Sequence, residues 1–155
     1  MTGIHRLAEL PADGLAELLA ASEAEGYRFV RRVVDEWRSG ANRFDAPGEG
    51  LYAAEIDGAV AGICGLMSDP YLDDGAVGRL RNLYVLPTRR GRGLGRALTD
   101  AVVAAAARRF RVLHLRASGP ESARLYVRAG FAPVAGDPRC THRIDFHGAA
   151  ATRLA

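Results

Sequence analysis

Eight consecutive residues, Arg89-Arg90-Gly91-Arg92-Gly93-Leu94-Gly95-Arg96, set three glycines among four arginines. A short apolar segment precedes them and an alanine-rich one follows. Glycines let the backbone approach a ligand with no Cβ in the way. A helix that starts here points its unbonded N–H groups and the positive end of its dipole at one spot, and such a spot holds phosphate. Arg89, Arg90, Arg92 and Arg96 can add forked, charge-assisted hydrogen bonds to the same anion. Two common phosphate loops are excluded. A Walker loop needs Gly-Lys-Ser/Thr, and the chain contains no lysine. A dinucleotide fingerprint needs a third glycine where Arg96 or Leu98 stands.

The elements around this loop can be read from pattern. Leu80–Leu86 is a strand, and Ala97–Arg109, rich in alanine and free of Gly and Pro, is a helix. Arg111–Arg116 is the next strand. Ser118 then serves as an N-cap, Pro120 lies in the first turn, and Glu121 completes a capping box for a helix that stops at Gly130. Phe131–Val134 and Cys140–Phe146 close the chain as strands. Upstream, Ile4–Leu7 reads as an edge strand and Pro11–Glu25 as a first helix. Tyr27–Arg38 is a second helix that places Phe29, Val30, Val33, Val34 and Trp37 on one side. Leu51–Ile56 and Ala59–Met67 form a hairpin around Asp57-Gly58, a dipeptide suited to a type I′ turn. The stretch from Ser68 to Gly78 is an acidic, solvated loop holding Asp69, Asp73 and Asp74, which raise the local concentration of cations.

Composition suits one globular domain, residues 1–147, with a frayed tail at 148–155. The chain has 155 residues, 48% of them hydrophobic, and a formal net charge of +3. That charge fits an anionic small molecule better than a long polyanion. Cys64 and Cys140 form no CxxC pair, and the histidines have no metal-ligand spacing, so reduced core thiols and no metal are expected. No apolar run approaches the roughly 20 residues of a membrane span. A cytoplasmic protein with no membrane partner is expected.

Arg90-x-x-Gly93-x-Gly95, following a Leu-Tyr-Val strand end and Pro87, resembles the acetyl-CoA loop of the GNAT superfamily of N-acetyltransferases. Leu125-Tyr126-Val127-Arg128-Ala129-Gly130-Phe131 resembles that family's second motif. The resemblance covers almost the whole chain and is tightest from about Leu80 to Phe131. It implies an α/β fold: a mixed sheet with helices on both faces, in the order β-α-α-β-β-β-α-β-α-β-β. It also implies acetyl-CoA as co-substrate, held by Leu83, Val85, Arg90, Gly91, Arg92, Gly93, Leu94, Gly95, Arg96 and Ser118. A bulge in the strand before the loop would turn a main-chain N–H, that of Val85, toward the acetyl oxygen. Tyr126 would be the catalytic acid that protonates the departing thiolate. By residue type alone, without the motif, Tyr126 reads as a ring packed under the sheet.

Two positions depart from the family pattern. Gly119 stands where Asn is frequent, and Arg79 where a Glu frequently acts as base. The base is therefore unassigned, with His114 and His142 as further candidates and a water chain as another route. The expected activity is acetyl transfer to a primary amine, on a small molecule or a peptide, by direct attack. Homodimerisation is left open. The alternatives are a catalytically silent CoA-binding sensor of the same fold and an arginine-rich nucleic-acid binder, which lacks interleaved aromatics.

Overall fold

The computed structural model of the protein describes residues 2–146; the proposed tail at 148–155 lies outside them. Strand β1 (Thr2–Arg6) pairs antiparallel with β2 (Gly50–Ile56), and β2 with β3 (Ala59–Ser68). Asp57 and Gly58 join β2 to β3 at φ 52° and 84°, the left-handed pair that a type I′ turn requires. Strand β4 (Val77–Val85) continues the antiparallel run. Beyond it the sheet turns parallel to β5 (Val112–Leu115), then antiparallel to β7 (His142–Asp145) and β6 (Ala132–Pro133). The order across the seven strands is β1-β2-β3-β4-β5-β7-β6. Four helices complete one domain: α1 (Ala16–Ala24), α2 (Phe29–Ser39), α3 (Leu94–Arg109) and α4 (Pro120–Arg128).

Expectations about helix starts fail for local reasons. Helix α1 begins at Ala16 rather than Pro11, because Gly14 and Leu15 both adopt left-handed φ, 64° and 63°. Asp13 Oδ1 accepts the Leu15 N–H at 3.1 Å and fixes that turn. Helix α4 is capped by Gly119 rather than Ser118. Ser122 Oγ reaches back to accept the Gly119 N–H at 3.2 Å, so Glu121 is not the residue that closes the N-terminus. Helix α3 starts three residues earlier than expected, at Leu94, which brings the glycine loop directly against its first turn.

The helices divide between the two faces. The buried side of α2 is Val30, Val33, Val34 and Trp37, as its spacing predicts. With α1, it covers the face on which Tyr84 meets Tyr27 and Phe29. Helix α3 buries Leu94, Leu98, Val102 and Ala106 on the other face. A Cβ on Gly62 would lie 3.0 Å from Leu98 Cδ1, and one on Gly95 3.9 Å from both Leu125 and Val85, so α3 and α4 share that face.

Strand β4 carries the feature that shapes the site. Between Ile63 and Gly65, β3 advances two residues while β4 runs three, from Tyr84 back to Arg81. The extra residue is a β-bulge. Asn82 takes it up at φ 62°, a conformation that asparagine tolerates better than most side chains. The parallel rungs to β5 run only from Val77↔Val112 to Arg79↔His114. Past that rung β4 and β5 part.

The paired end depends on close backbone packing. A Cβ on Gly78 would come 2.7 Å from Phe110 Cδ2, a ring that is itself buried. Gly78→Ala is expected to cost roughly 1–3 kcal/mol through this overpacking. A lowered urea-denaturation midpoint with unchanged slope checks it; a parental midpoint would show that Phe110 yields freely.

Candidate active site

The glycine loop forms as its residue types predict. A single 3-10 turn at Pro87–Arg89 ends the strand. Gly91 and Gly93 then adopt φ 79° and 84°, and Gly93 is the N-cap of α3. The first bond into the helix is Ala97 N–H to Gly93 C=O, 2.9 Å. The N–H groups of Leu94, Gly95 and Arg96 are therefore the orphans of the first turn. Gly91, Arg92 and Gly93 are exposed, and a Cβ on Gly91 or Gly93 would meet no atom within 4 Å. Open backbone and a helix dipole thus face the same space, which suits an anion of phosphate size.

The arginines around the loop divide by role. Arg90 does not project freely toward an anion. Its guanidinium grips Glu25 at the end of α1 with two hydrogen bonds, 2.7 and 2.9 Å, and its Nε donates to Val85 C=O at 3.0 Å. Tyr84 Oη donates to the same carboxylate at 2.6 Å. These bonds from Arg90 and then Tyr84 hold the Glu25 carboxyl down to about 2. Tyr84 is pushed up to about 12 by its burial and by that hydrogen bond. Arg90 is thus a strut between loop, strand end and first helix. Nothing in the sequence linked Glu25 to it across 65 residues. Arg96 pairs with Asp100 one turn on, 2.9 Å, both ends exposed. Arg92 is exposed without a hydrogen bond or ion pair among the described residues.

Main-chain groups face the opening between β4 and β5. Leu86 N–H bonds Ala61 C=O on β3 at 2.9 Å, so its neighbour Val85 points its own N–H the other way, to the side β5 has left. Leu83 sits half-buried in the bulge against the core. Ser118 is exposed, its Oγ 3.2 Å from Ser122 Oγ, before the first turn of α4.

Tyr126 stands on the α3/α4 face, 5% exposed, with its ring 5.7 Å from that of Phe131. Its hydroxyl makes no hydrogen bond among the described residues, yet it is not fully sealed from solvent. Burial, then the nearby Cys64, holds the phenol well above the usual tyrosine range, so it stays protonated. Cys64 lies on β3 opposite the bulge and, fully buried, has its thiol raised far above the ordinary range. Cys140 is also free and buried. Neither is an ionised nucleophile.

The expected acidic loop is only partly solvated. Asp73 and Asp74 are exposed, but Asp69 is 2% exposed. Its Oδ2 accepts from Arg79 Nη2 at 3.1 Å and lies 3.3 Å from His114 Nδ1; its Oδ1 accepts the Tyr71 N–H at 3.0 Å. Against the penalty of burial, these partners hold the Asp69 carboxyl below the usual range. Arg79 is likewise 4% exposed, with its Nε enclosed and unpartnered. His142 points elsewhere, its Nδ1 2.8 Å from Thr141 Oγ1. Among the described residues no group of three His, Cys, Asp or Glu could hold a metal ion. No described helix is long and apolar enough to cross a membrane. A surface cavity of about 350 Å³ beside Arg6, Trp37 and Arg43 contains none of these groups.

The chain matches the acetyltransferase (GNAT) family over residues 14–131. It is similar to a solved structure from Exiguobacterium sp. 255-15 assigned as an acetyltransferase, with 27% identity, TM-score 0.84 and 98% of each chain covered. A second, from Desulfovibrio desulfuricans and assigned to the GNAT family, is 26% identical at TM-score 0.72, over 94% of this chain and 99% of that one. The structure of yncA from Salmonella typhimurium with its cofactor acetyl-CoA shares the fold at TM-score 0.69 and 18% identity, over 94% of each chain. Among curated proteins none matches.

The Glu25 strut makes a pH prediction. A carboxyl depressed from about 4.5 to about 2 contributes stability that is fully present above pH 4.5 and lost as pH falls toward 2. Glu25→Gln is therefore expected to flatten the acid slope of stability between those values. Urea midpoints taken at stepped pH on both proteins measure this. Parallel curves through the window would show that the strut is not formed in solution.

Proposed function

As this chain belongs to the acetyltransferase (GNAT) family, we propose that it transfers the acetyl group of acetyl-CoA to a primary amine by direct attack. The observation that carries this reading is the row of unbonded loop N–H groups set beside the opening between β4 and β5. An acyl carrier with a phosphate-rich head and a long amide-bearing arm fits both features together. The head lies on the loop, and the arm replaces the missing rungs of β5. The acetyl-CoA held by yncA supports the choice of carrier.

The residues then take distinct tasks. Main-chain N–H groups from Gly91 to Arg96 hold the pyrophosphate, with Arg92 adding charge; Arg90 contributes by keeping the loop in place. Leu83 and Val85 offer main chain to the arm, and the Val85 N–H polarises the thioester carbonyl as an oxyanion donor. Ser118 adds a hydroxyl at the start of α4. Tyr126, protonated and unpartnered on the α3/α4 face, delivers the proton that the departing thiolate needs. Buried, un-ionised Cys64 leaves no nucleophile for a covalent enzyme intermediate.

Two substitutions test this division. Gly93→Val forces a β-branched side chain into φ 84° and places it in the open space before the helix. Thermal stabilisation by CoA is expected to vanish while the fold survives; parental binding would refute the loop assignment. Tyr126→Phe keeps the ring and removes the proton, so kcat should fall by roughly 10² with CoA affinity retained. Thiol release from acetyl-CoA, followed with DTNB across an amine panel, supplies the rate. Unchanged kcat would leave Tyr126 as packing only. CoA binding without turnover on any amine would favour a sensor.

A further inference from the structure

An amine reaches a neutral solution as ammonium and must lose a proton before it can attack. Tyr126 cannot accept that proton, being protonated itself and set on the α3/α4 face. The opposite face holds the buried trio of Asp69, Arg79 and His114. Gly78 turns toward Phe110 and α3, so the next residue, Arg79, turns to the α1/α2 face, and its register partner His114 turns with it. Arg79↔His114 is also the last rung before the strands part. The trio therefore sits at the root of the opening, on the face that α3 and α4 do not cover.

Building on the acetyl-transfer reading above, we propose that His114 Nε2 is the base that takes the proton from the acceptor amine, with Asp69 as its positioning residue. Asp69 Oδ2 is a carboxylate acceptor 3.3 Å from His114 Nδ1, so Nδ1 carries the hydrogen and Nε2 is left with the lone pair. Arg79 balances the Asp69 charge at 3.1 Å, so the carboxylate does not require a charged imidazole beside it. The His114 side chain is 15% exposed, while Asp69 is completely covered: the orienting group is sealed and the reacting one open. Other carboxylates are engaged or remote. Glu25 is held by Arg90 and Tyr84, and Asp73 and Asp74 lie out in the loop.

The protons balance. The ammonium gives one proton to Nε2, which passes it to water. The freed nitrogen forms the C–N bond as the C–S bond breaks, and the sulfur takes a proton from Tyr126. A second nitrogen proton restores the tyrosine, and the third remains on the amide. The net products are the N-acetyl amine, free CoA thiol and one proton.

The test is a pH–rate profile with a chemical rescue. Besides Asp69 and Arg79, the charged groups around His114 are Arg143 on the next strand, Asp145 two rungs along it, Arg116 beyond the end of β5, and Arg139, stacked on Tyr71 across from Arg79. The acid limb of the wild-type kcat profile is the reference for the variants. His114→Ala is expected to lower kcat roughly 10²-fold with the KM for acetyl-CoA unchanged, to lose that acid limb, and to recover activity with added imidazole. His114→Gln, closer in size, should show the same loss of the limb if the alanine variant folds poorly. Asp69→Asn, which no longer dictates the tautomer, should lower kcat while His114 remains. Unaltered kcat and acid limb in both His114 variants would overturn the base assignment, with acetyl transfer itself intact. Wild-type protein that transfers acetyl to no amine would instead remove the functional reading and the base with it.

Discussion

The structure depends on one extra residue in the middle of a sheet. Paired strands hold each other's N–H and C=O groups, and leaving such groups unpaired inside a protein is costly. Here β4 accepts an additional residue at Asn82, twists, and leaves β5 after the Arg79↔His114 rung. The opening lies between two central strands rather than at an edge, in a sheet with helices on both faces. The bulge thereby leaves a gap in the sheet lined by main-chain groups.

Everything that handles charge or protons is arranged around that gap. The loop of left-handed glycines ends β4 and starts α3, so its N–H row is anchored to the strand that forms one wall. Arg90 ties the same loop to Glu25, and through it to Tyr84, coupling the glycine loop to the first helix. The strut is mostly exposed, so it positions more than it stabilises. Tyr126 lies on one face of the sheet and the Asp69–Arg79–His114 trio on the other. Buried ion pairs are poor sources of stability, because desolvation offsets their attraction. A sealed Asp69 that orients a partly open imidazole is better understood as positioning.

Much of this was legible in the sequence. Glycine spacing between an apolar strand and an alanine-rich helix announced the loop, because φ near +80° at Gly91 and Gly93 is a local demand that few other residues meet. The hairpin at Asp57-Gly58, the buried stripe of α2, and the stop at Gly130 were equally local. Errors arose where local rules compete. Spacing put the cap of α4 at Ser118, but Ser122 reaching back decided for Gly119. Pro11 could have begun α1, but Asp13 stabilised a left-handed turn first.

The sequence by itself determined the element order, the anion loop and the likeness of Tyr126 to a catalytic acid, since each rests on neighbours within a few residues. Only the tertiary structure decided which charges meet. Glu25 claims Arg90 across 65 residues, and Asp69 comes 45 residues back from His114 to lie beneath the last rung of β4 and β5. An acidic loop and a buried, orienting carboxylate look the same along a chain. They differ in burial and partners, which are set by the packing of distant segments and not by residue type.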